Sequence, residues 1–370
     1  MTPVIVDAAR TPFGKRDGWL SGVHAAELLG HAQRGVLDRT GIDPALVEQA
    51  IGGCVTPIGE QFGNIIRTSW VHAGLPTATG TTTIDAQCGT AAQAVSLVAG
   101  QIAIGSLEVG MACGVELMSR VPLTYKVGTG LGTPRPESWS VDSPDQYTAA
   151  DRIAVRRGLT REDLDAFGLR SQQRAAAAWD AGVFDDQVIP VAGVTRDQGL
   201  RESSLEGLAR LKPVKDGGLH TAGSSSQVSD GASAALLMSQ TRAAELGLKA
   251  RARLLNQCVM GGDLEYLLDA PVDAATKVLA RAGMSVGDVD VFEVNEAFAS
   301  VPMSFAQVHG VDEDRLNPNG GAIALGHPAG ATGIRLIATA LAELERRDGQ
   351  VAMVAICASA ATTCLLIERL

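Results

Sequence analysis

The stretch Gln87-Cys88-Gly89-Thr90-Ala91-Ala92-Gln93-Ala94 sets the organisation of this chain. It follows a β-branched run, Thr81-Thr82-Thr83-Ile84, which predicts a strand, and it precedes apolar residues at helical spacing as far as Ile104. Cys88 is therefore expected at a strand-to-helix corner, where free N–H groups and the helix dipole favour a thiolate. The position makes Cys88 a candidate nucleophile, and the alternative is a buried structural cysteine.

The composition indicates an α/β protein with more than one domain. At 370 residues and 46% hydrophobic content, the chain is long and apolar enough for two or three sizeable cores. The net charge of −10 argues against a general nucleic-acid binder. The six cysteines are scattered and form no CxxC pair, which favours a cytoplasmic location. Polar residues interrupt the apolar segment 351–367, so two buried strands are expected there rather than a membrane span.

Strands and helices are predicted to alternate along the first part of the chain. Candidate strands at 4–7, 47–55 and 107–115 are separated by candidate helices at 24–40 and 61–73. This order predicts parallel α/β layering.

The middle of the chain has a different character. Residues 119–147 are rich in Gly, Pro, Ser and Thr, and their glycine-rich run at 128–132 lacks the strand-then-helix setting of a dinucleotide loop. We interpret 119–224 as an inserted loop domain. It interrupts an N-terminal half made of 1–118 plus 225–248.

The last part, 249–370, is interpreted as a C-terminal half that repeats the βα order of the first. In it, His327 precedes a small-residue helix much as Cys88 precedes its own. This similarity of order suggests an internal pseudo-repeat.

Four side chains could carry chemistry, because each lies where a predicted strand ends or a helix begins. Cys88 and His327 form the minimal pair for an activated thiolate, and Cys357 could move a proton to or from a carbon acid. Asn295 could hold a water or a carbonyl oxygen through its amide. Each also has a structural alternative: His327 as a loop histidine, Cys357 as a core cysteine and Asn295 as a helix cap.

Several segments together resemble the thiolase family, the acetyl-CoA acyltransferases. The resemblance spans essentially the whole chain, and its most specific motifs are Gly326-His327-Pro328 and Asn295-Glu296-Ala297-Phe298. The segments that carry it are 6–14, 88–94, 184–191, 221–231, 295–299, 317–328 and the strand that leads to Cys357. The resemblance implies two related βαβαβαββ halves arranged in five layers, with a loop domain inserted into the first half.

The resemblance also implies catalytic roles. Cys88 would carry the acyl group as a thioester, and His327 would take its thiol proton and help to bind the thioester oxygen. Asn295 would hold a water in that oxyanion hole. Cys357 would act as acid and base at the substrate α-carbon.

Further implied features concern the ligands and the assembly. Backbone N–H groups of Cys88 and Ser359 would form a second oxyanion hole, and Ser226 would lie beside the pantetheine arm of CoA. No metal and no redox cofactor is implied, since CoA and acyl-CoA are the substrates. Members of the family are dimers or tetramers, so a homodimer or homotetramer is expected.

The chain departs from the family pattern in ways that keep alternatives open. The run Cys357-Ala358-Ser359-Ala360-Ala361 stands where the family has several glycines, and Tyr147 stands where a small residue is expected near the acyl pocket. Ser224, where many relatives have Asn, is a milder difference. The alternatives are a catalytically impaired thiolase-fold protein that binds acyl-CoA or serves as a partner subunit, and a condensing enzyme that does not use CoA. The cysteine at 357 argues against the latter, since such enzymes commonly have a histidine there.

Overall fold

The structure is a computed structural model that describes residues 1–123 and 135–370, so the glycine-rich run 128–132 lies outside the described residues. The strands are β1 (Pro3–Arg10), β2 (Gly14–Lys15), β3 (Gln49–Gly53), β4 (Gly80–Ile84), β5 (Val109–Leu117), β6 (Ser229–Ser239), β7 (Ala252–Met260), β8 (Val291–Val294), β9 (Val351–Ile356) and β10 (Thr362–Arg369). The helices are α1 (Ala25–Thr40), α2 (Ile65–His72), α3 (Thr90–Ile104), α4 (Gln146–Arg157), α5 (Arg161–Asp180), α6 (Leu205–Ala209), α7 (Gln240–Glu245), α8 (Ala270–Ala282), α9 (Ser300–His309), α10 (Ala322–Leu325) and α11 (Thr332–Arg347).

The strands form one mixed sheet in the order β4-β3-β5-β6-β1-β7-β10-β9-β8, with β2 paired to β6. The expectation of parallel layering is correct for β3 with β4, β3 with β5, and β8 with β9. It is wrong for the centre, where β6 runs antiparallel to both β5 and β1. The physical reason is that β6 enters the sheet after the long excursion at 119–224, and antiparallel pairing needs no crossover helix. A short antiparallel contact of β1 with β7 joins the two halves.

Three apolar clusters show the five layers that the resemblance implies. One cluster packs α1 and α2 on the outer face of the N-terminal strands, and another packs α8 and α9 on the outer face of the C-terminal strands. The third cluster lies between the two groups of strands and contains α3 and α11. Successive residues of β1, Val4 and Ile5, point into different clusters because side chains alternate across a strand.

The two central helices approach each other closely, and this explains their small residues. A Cβ atom at Gly333 on α11 would lie 2.4 Å from the backbone nitrogen of Ala92 on α3. Only glycine therefore permits this contact without a shift of backbone. The close packing places the first turns of α3 and α11, and hence the loops that carry Cys88 and His327, next to each other.

The excursion between β5 and β6 packs on the sheet through a buried ion pair. Arg10, at the end of β1, donates from Nη1 to Asp197 Oδ1 at 2.6 Å, and both side chains are completely buried. The same carboxylate oxygen accepts the backbone N–H of Phe13 at 2.7 Å. Within residues 1–123 and 135–370, no helix is both long enough and apolar enough to cross a membrane.

Candidate active site

The loop that carries Cys88 is a tight corner between β4 and α3. Gln87 has a left-handed backbone with a φ of 52°, which is uncommon for a residue other than glycine. The hydroxyl of Thr90 accepts the N–H of Ala86 at 3.0 Å and donates to the carbonyl of Gln87 at 2.7 Å, which holds the corner. A Cβ at Gly89 would lie 2.5 Å from the carbonyl oxygen of Ala361. Glycine is required there because the loop after Cys357 passes directly over it.

The Cys88 side chain is half-buried, and its environment favours the neutral thiol. Burial raises the pKa of Cys88 well above its usual range, and the proximity of Cys357 and Glu116 raises it further. The expectation of a resting thiolate at the helix N-terminus is therefore wrong, because desolvation outweighs the helix dipole in this position. A base is needed to make Cys88 nucleophilic.

His327 has the properties of such a base. Its ring is buried, and its Nδ1 lies 2.6 Å from the hydroxyl of Thr332. Thr332 donates its only hydroxyl proton to the carbonyl of Pro328 at 2.9 Å, so it accepts the proton of Nδ1. This network assigns the free lone pair to Nε2. Burial lowers the pKa of His327 to about 3, helped by the charge of Arg335, so the ring is neutral at neutral pH.

Asn295 lies between His327 and Cys357 and brings them into one site. Its Nδ2 is 3.5 Å from His327 Nε2, and its amide is near enough to the Cys357 thiol to affect the pKa of that thiol. In the part of the chain that the structure describes, the buried Oδ1 of Asn295 has no hydrogen-bond partner. Burial raises the pKa of Cys357 to about 12, and the neighbouring amide of Asn295 opposes this rise. The structure therefore brings together all four residues singled out in the sequence.

The alanine- and serine-containing loop after Cys357 is held by a residue that the sequence analysis did not single out, Gln87. Its Oε1 accepts the hydroxyl of Ser359 and the backbone N–H of Ala360, the latter at 3.1 Å. The hydroxyl of Thr362 accepts the N–H of Ala358 at 3.2 Å. Side-chain contacts thus fix the loop in which this chain departs from the glycines of the family pattern. The only signal in the sequence was the polar side chain beside Cys88.

Ser226 and Tyr147 lie along a wall that leads to Asn295. The N–H of Ser226 donates to the carbonyl of Ala297 at 2.9 Å, which pairs its strand-like segment with the Asn295–Phe298 motif. The ring of Tyr147, on α4, meets the ring of Phe298 edge to face at a centroid distance of 5.5 Å. Tyr147 is 38% exposed, so it stands at the outer end of this wall.

Glu116, at the end of β5, is a further buried residue that supports the site. Its carboxylate accepts N–H groups of Val55 at 2.7 Å, Thr56 at 3.2 Å and Gly330 at 3.0 Å, together with the amide of Gln61 at 2.9 Å. Burial raises the pKa of Glu116 to about 7, and the four hydrogen bonds oppose the rise. Gly330 belongs to the loop of His327, so Glu116 ties that loop to the first half. A lone acidic residue in an apolar strand was the signal for it.

Comparisons with known proteins show to which family the chain belongs. Models of the thiolase N-terminal domain and of the thiolase C-terminal domain match residues 3–241 and 248–369 of the chain. The chain belongs to the thiolase family of acyltransferases. This confirms the resemblance seen in the sequence.

Individual thiolases are similar to the chain over nearly its whole length. It is 42% identical to the steroid 3-ketoacyl-CoA thiolase FadA6 of Mycobacterium tuberculosis, over 99% of this chain and 94% of that protein. It is 38% identical to a 3-ketoacyl-CoA thiolase of Aliivibrio fischeri, over 96% and 95% of the two chains. The crystal structure of human mitochondrial 3-ketoacyl-CoA thiolase superimposes with a TM-score of 0.92 at 32% identity, over 100% and 99% of the two chains.

Proposed function

We propose that this protein is a CoA-dependent thiolase that cleaves 3-ketoacyl-CoA by thiolysis and catalyses the reverse Claisen condensation. The observation that carries the proposal is the placement of Asn295, whose Nδ2 lies 3.5 Å from the Nε2 of a neutral His327 and whose amide is near enough to Cys357 to lower the pKa of its thiol. Cys88 lies close enough to Cys357 for the charge of one to shift the pKa of the other. The site thus contains a nucleophile, a base for it and a second acid/base group.

The first half of thiolysis forms the acyl-enzyme. His327 Nε2 takes the proton of Cys88, and the sulfur attacks the C3 carbonyl of the 3-ketoacyl-CoA. The bond between C2 and C3 then breaks, and its electron pair passes to C2 as the enolate of acetyl-CoA. Cys357 protonates C2, so acetyl-CoA leaves and the remaining acyl group stays on Cys88 as a thioester.

The second half transfers the acyl group to CoA. The Cys357 thiolate takes the proton of the CoA thiol, and the CoA sulfur attacks the thioester carbon. Cys88 leaves as a thiolate and recovers its proton from His327. The reverse sequence of steps is the condensation, so one site serves both directions. Asn295 would hold a water that donates to the thioester oxygen, and the N–H groups of Cys88 and Ser359 would serve a second oxyanion hole.

The names of the relatives support this assignment. Those quoted above are 3-ketoacyl-CoA thiolases, and an acetyl-CoA acetyltransferase of Chromobacterium violaceum is 38% identical over 96% of this chain. The alternative is an acyl-CoA-binding protein without turnover, and it depends on the replaced glycine loop. Three hydrogen bonds anchor that loop beside Cys88, which favours the enzyme.

The test is CoA-dependent cleavage of 3-ketoacyl-CoA by the wild type, Cys88→Ala and Cys357→Ala. We expect both variants to lose at least about 1,000-fold in kcat. Cys357→Ala should also accumulate acylated Cys88 when the acyl donor is a simple acyl-CoA, as an added mass on the intact protein. Cys258→Ala is the matched control, since Cys258, on β7, is a buried cysteine as Cys357 is. Full turnover by Cys88→Ala would refute the mechanism.

A further inference from the structure

The side-chain amide of Gln87 joins two loops that are far apart in the chain and meet at Cys88. Its Oε1 accepts the hydroxyl of Ser359 and, at 3.1 Å, the N–H of Ala360, which lie 272 and 273 positions further along. A backbone N–H can only donate, so the amide turns its oxygen towards the loop, and this contact fixes its orientation. One oxygen atom thus holds two successive residues of the loop that follows Cys357.

This loop has an anchored N–H group on either side of a free one. The N–H of Ala358 donates to the hydroxyl of Thr362 at 3.2 Å, and the N–H of Ala360 donates to the glutamine oxygen. Within the described part of the chain, the N–H of Ser359 between them has no acceptor. The two anchors therefore leave this donor available to a bound molecule.

The point from which the Gln87 side chain reaches the loop is itself fixed. Its backbone is left-handed with a φ of 52°, its N–H donates to Asp85 Oδ1 at 2.8 Å, and its carbonyl accepts the hydroxyl of Thr90 at 2.7 Å. Gln87, Cys88 and Ser359 line the same cavity. The free N–H of the loop thus belongs to a residue that shares its cavity with the nucleophile.

We propose that Gln87 is a positioning residue for acyl transfer, which holds the N–H of Ser359 towards the thioester oxygen on Cys88. This rests on the proposed function, which assigns that N–H to the second oxyanion hole. Such a donor is effective only when it is fixed about 2.7–3.1 Å from the developing oxyanion before the reaction begins. The loop lacks the glycines of the family pattern, and the amide of Gln87 is the contact that sets its conformation instead. Gln87 touches no reacting atom and acts through the loop.

The first test is Gln87→Met, which keeps the length of the unbranched side chain and removes the acceptor. Thiolysis is measured with acetoacetyl-CoA and 3-ketodecanoyl-CoA, and the substrate that the wild type cleaves faster is used for the comparison. We expect kcat to fall at least about 30-fold and KM to change by less than about twofold, because a displaced oxyanion donor weakens the transition state more than the bound substrate.

Gln93→Met is the matched control. Gln93 lies on α3, and in the described part of the chain its buried Oε1 has no hydrogen-bond partner, so the substitution removes no contact of that oxygen. Its kcat should stay within about twofold of the wild type. An unchanged kcat in Gln87→Met, or an equal fall in the control, would overturn the proposal.

A double-mutant cycle with Ser359→Ala tests whether the loop is the route of the effect. This substitution removes one of the two donors to Gln87 and keeps the backbone N–H, so kcat should fall about threefold in the wild type and not further in Gln87→Met. If Gln87→Met does not fold, Ser359→Ala decides alone, and an unchanged kcat would contradict the proposal. A further threefold fall in the Gln87→Met background would contradict it as well.

Hydrogen exchange separates this proposal from the proposed function, because it does not depend on turnover. In Gln87→Met the N–H of Ala360 loses its acceptor, so a peptide that spans 357–362 should gain one rapidly exchanging amide by mass spectrometry, whereas Gln93→Met should leave its exchange unchanged. A wild type that cleaves no 3-ketoacyl-CoA would refute thiolysis, and the exchange would still decide whether Gln87 holds the loop. A wild type that cleaves its substrate, with neither kcat nor exchange altered in Gln87→Met, would refute the role of Gln87 and leave the chemistry of Cys88 standing.

Discussion

The corner that carries Cys88 and the corner that carries His327 both contain a buried threonine, but the two threonines have different roles. Each is followed by a helix whose first residue is a fully buried threonine, Thr90 in α3 and Thr332 in α11. Among the residues that the structure describes, the Thr90 hydroxyl bonds only to backbone groups of its own corner, whereas the Thr332 hydroxyl bonds to a backbone carbonyl and to the ring of His327. One threonine therefore shapes the backbone, and the other sets the state of a side chain.

The two reactive groups are prepared in different ways. The corner of Cys88 fixes the position of the thiol, since the left-handed backbone of Gln87 and the absence of a side chain at Gly89 let the loop of Cys357 pass close by. The corner of His327 fixes the protonation state of the ring, since burial and Thr332 together leave the ring neutral with a free lone pair on Nε2. Substitution of Thr90 and substitution of Thr332 should consequently have different results. Titration of His327 should have a third.

The largest effect is expected from the charge of His327. Its pKa in the folded protein is about 3, below the usual value of 6.5, so folding is favoured while the ring is neutral. This stabilisation is complete at a pH above the pKa of His327 in the unfolded chain. It is lost as the pH falls towards the pKa of His327 in the folded protein. The free energy of unfolding should therefore decrease by roughly 3 kcal/mol more in the wild type than in His327→Asn between about pH 7.5 and about pH 4.5.

Urea denaturation at the two pH values measures this difference. His327→Asn is a suitable reference because its amide can still donate to Thr332 and does not titrate in this range. The buried carboxylates titrate in both proteins and cancel in the comparison. If the free energy of unfolding changed by the same amount with pH in the two proteins, burial would not hold the ring neutral.

The second effect is on catalysis through Thr332. Thr332→Val keeps the shape of the side chain but removes the acceptor for Nδ1–H, so the proton of the ring is free to move to Nε2 and block the base. We expect kcat to fall roughly 10- to 30-fold with little change in KM, since one neutral hydrogen bond and the correct tautomer are lost. Thr332→Ser should restore most of the activity. A fall that Thr332→Ser does not reverse would point to packing of the methyl group instead.

The four residues of the candidate site could be predicted from the sequence more fully than the residues that hold them in place. Cys88, His327, Asn295 and Cys357 were visible because chemistry fixes both their residue type and their place at the ends of strands. Gln87 and Glu116 were not singled out, because the residues that they contact at the site lie far away in the chain and only the fold brings them near. Thr332 was not singled out, because its effect depends on the direction of a single hydroxyl, which the sequence does not show. Glu116 meets Gly330, for example, across 214 positions.

The fold shows the same division between local and distant information. Apolar residues at strand or helix spacing located most strands and helices. The antiparallel place of β6 was not predicted, because it depends on where the chain returns after a long excursion. The neutral thiol of Cys88 was missed for a related reason, since desolvation by residues distant in the sequence outweighs the local helix dipole.

The smallest effect is expected from Thr90, and it should appear in stability rather than in turnover. Thr90→Val removes the hydroxyl that accepts the N–H of Ala86 and donates to the carbonyl of Gln87, so two backbone groups lose a partner. We expect the free energy of unfolding to fall by about 1 kcal/mol, because the carbonyl of Gln87 keeps the backbone N–H of Thr90 as a partner. The kcat of the folded fraction should fall by less than about threefold, since no reacting group loses a contact. Urea denaturation and steady-state kinetics on Thr90→Val beside Thr332→Val measure both quantities. The contrary outcome is that Thr90→Val lowers kcat as much as Thr332→Val does. That result would contradict the assignment of Thr90 to backbone geometry and of Thr332 to the protonation state of His327, because the backbone geometry of Gln87 would then itself affect the catalytic step.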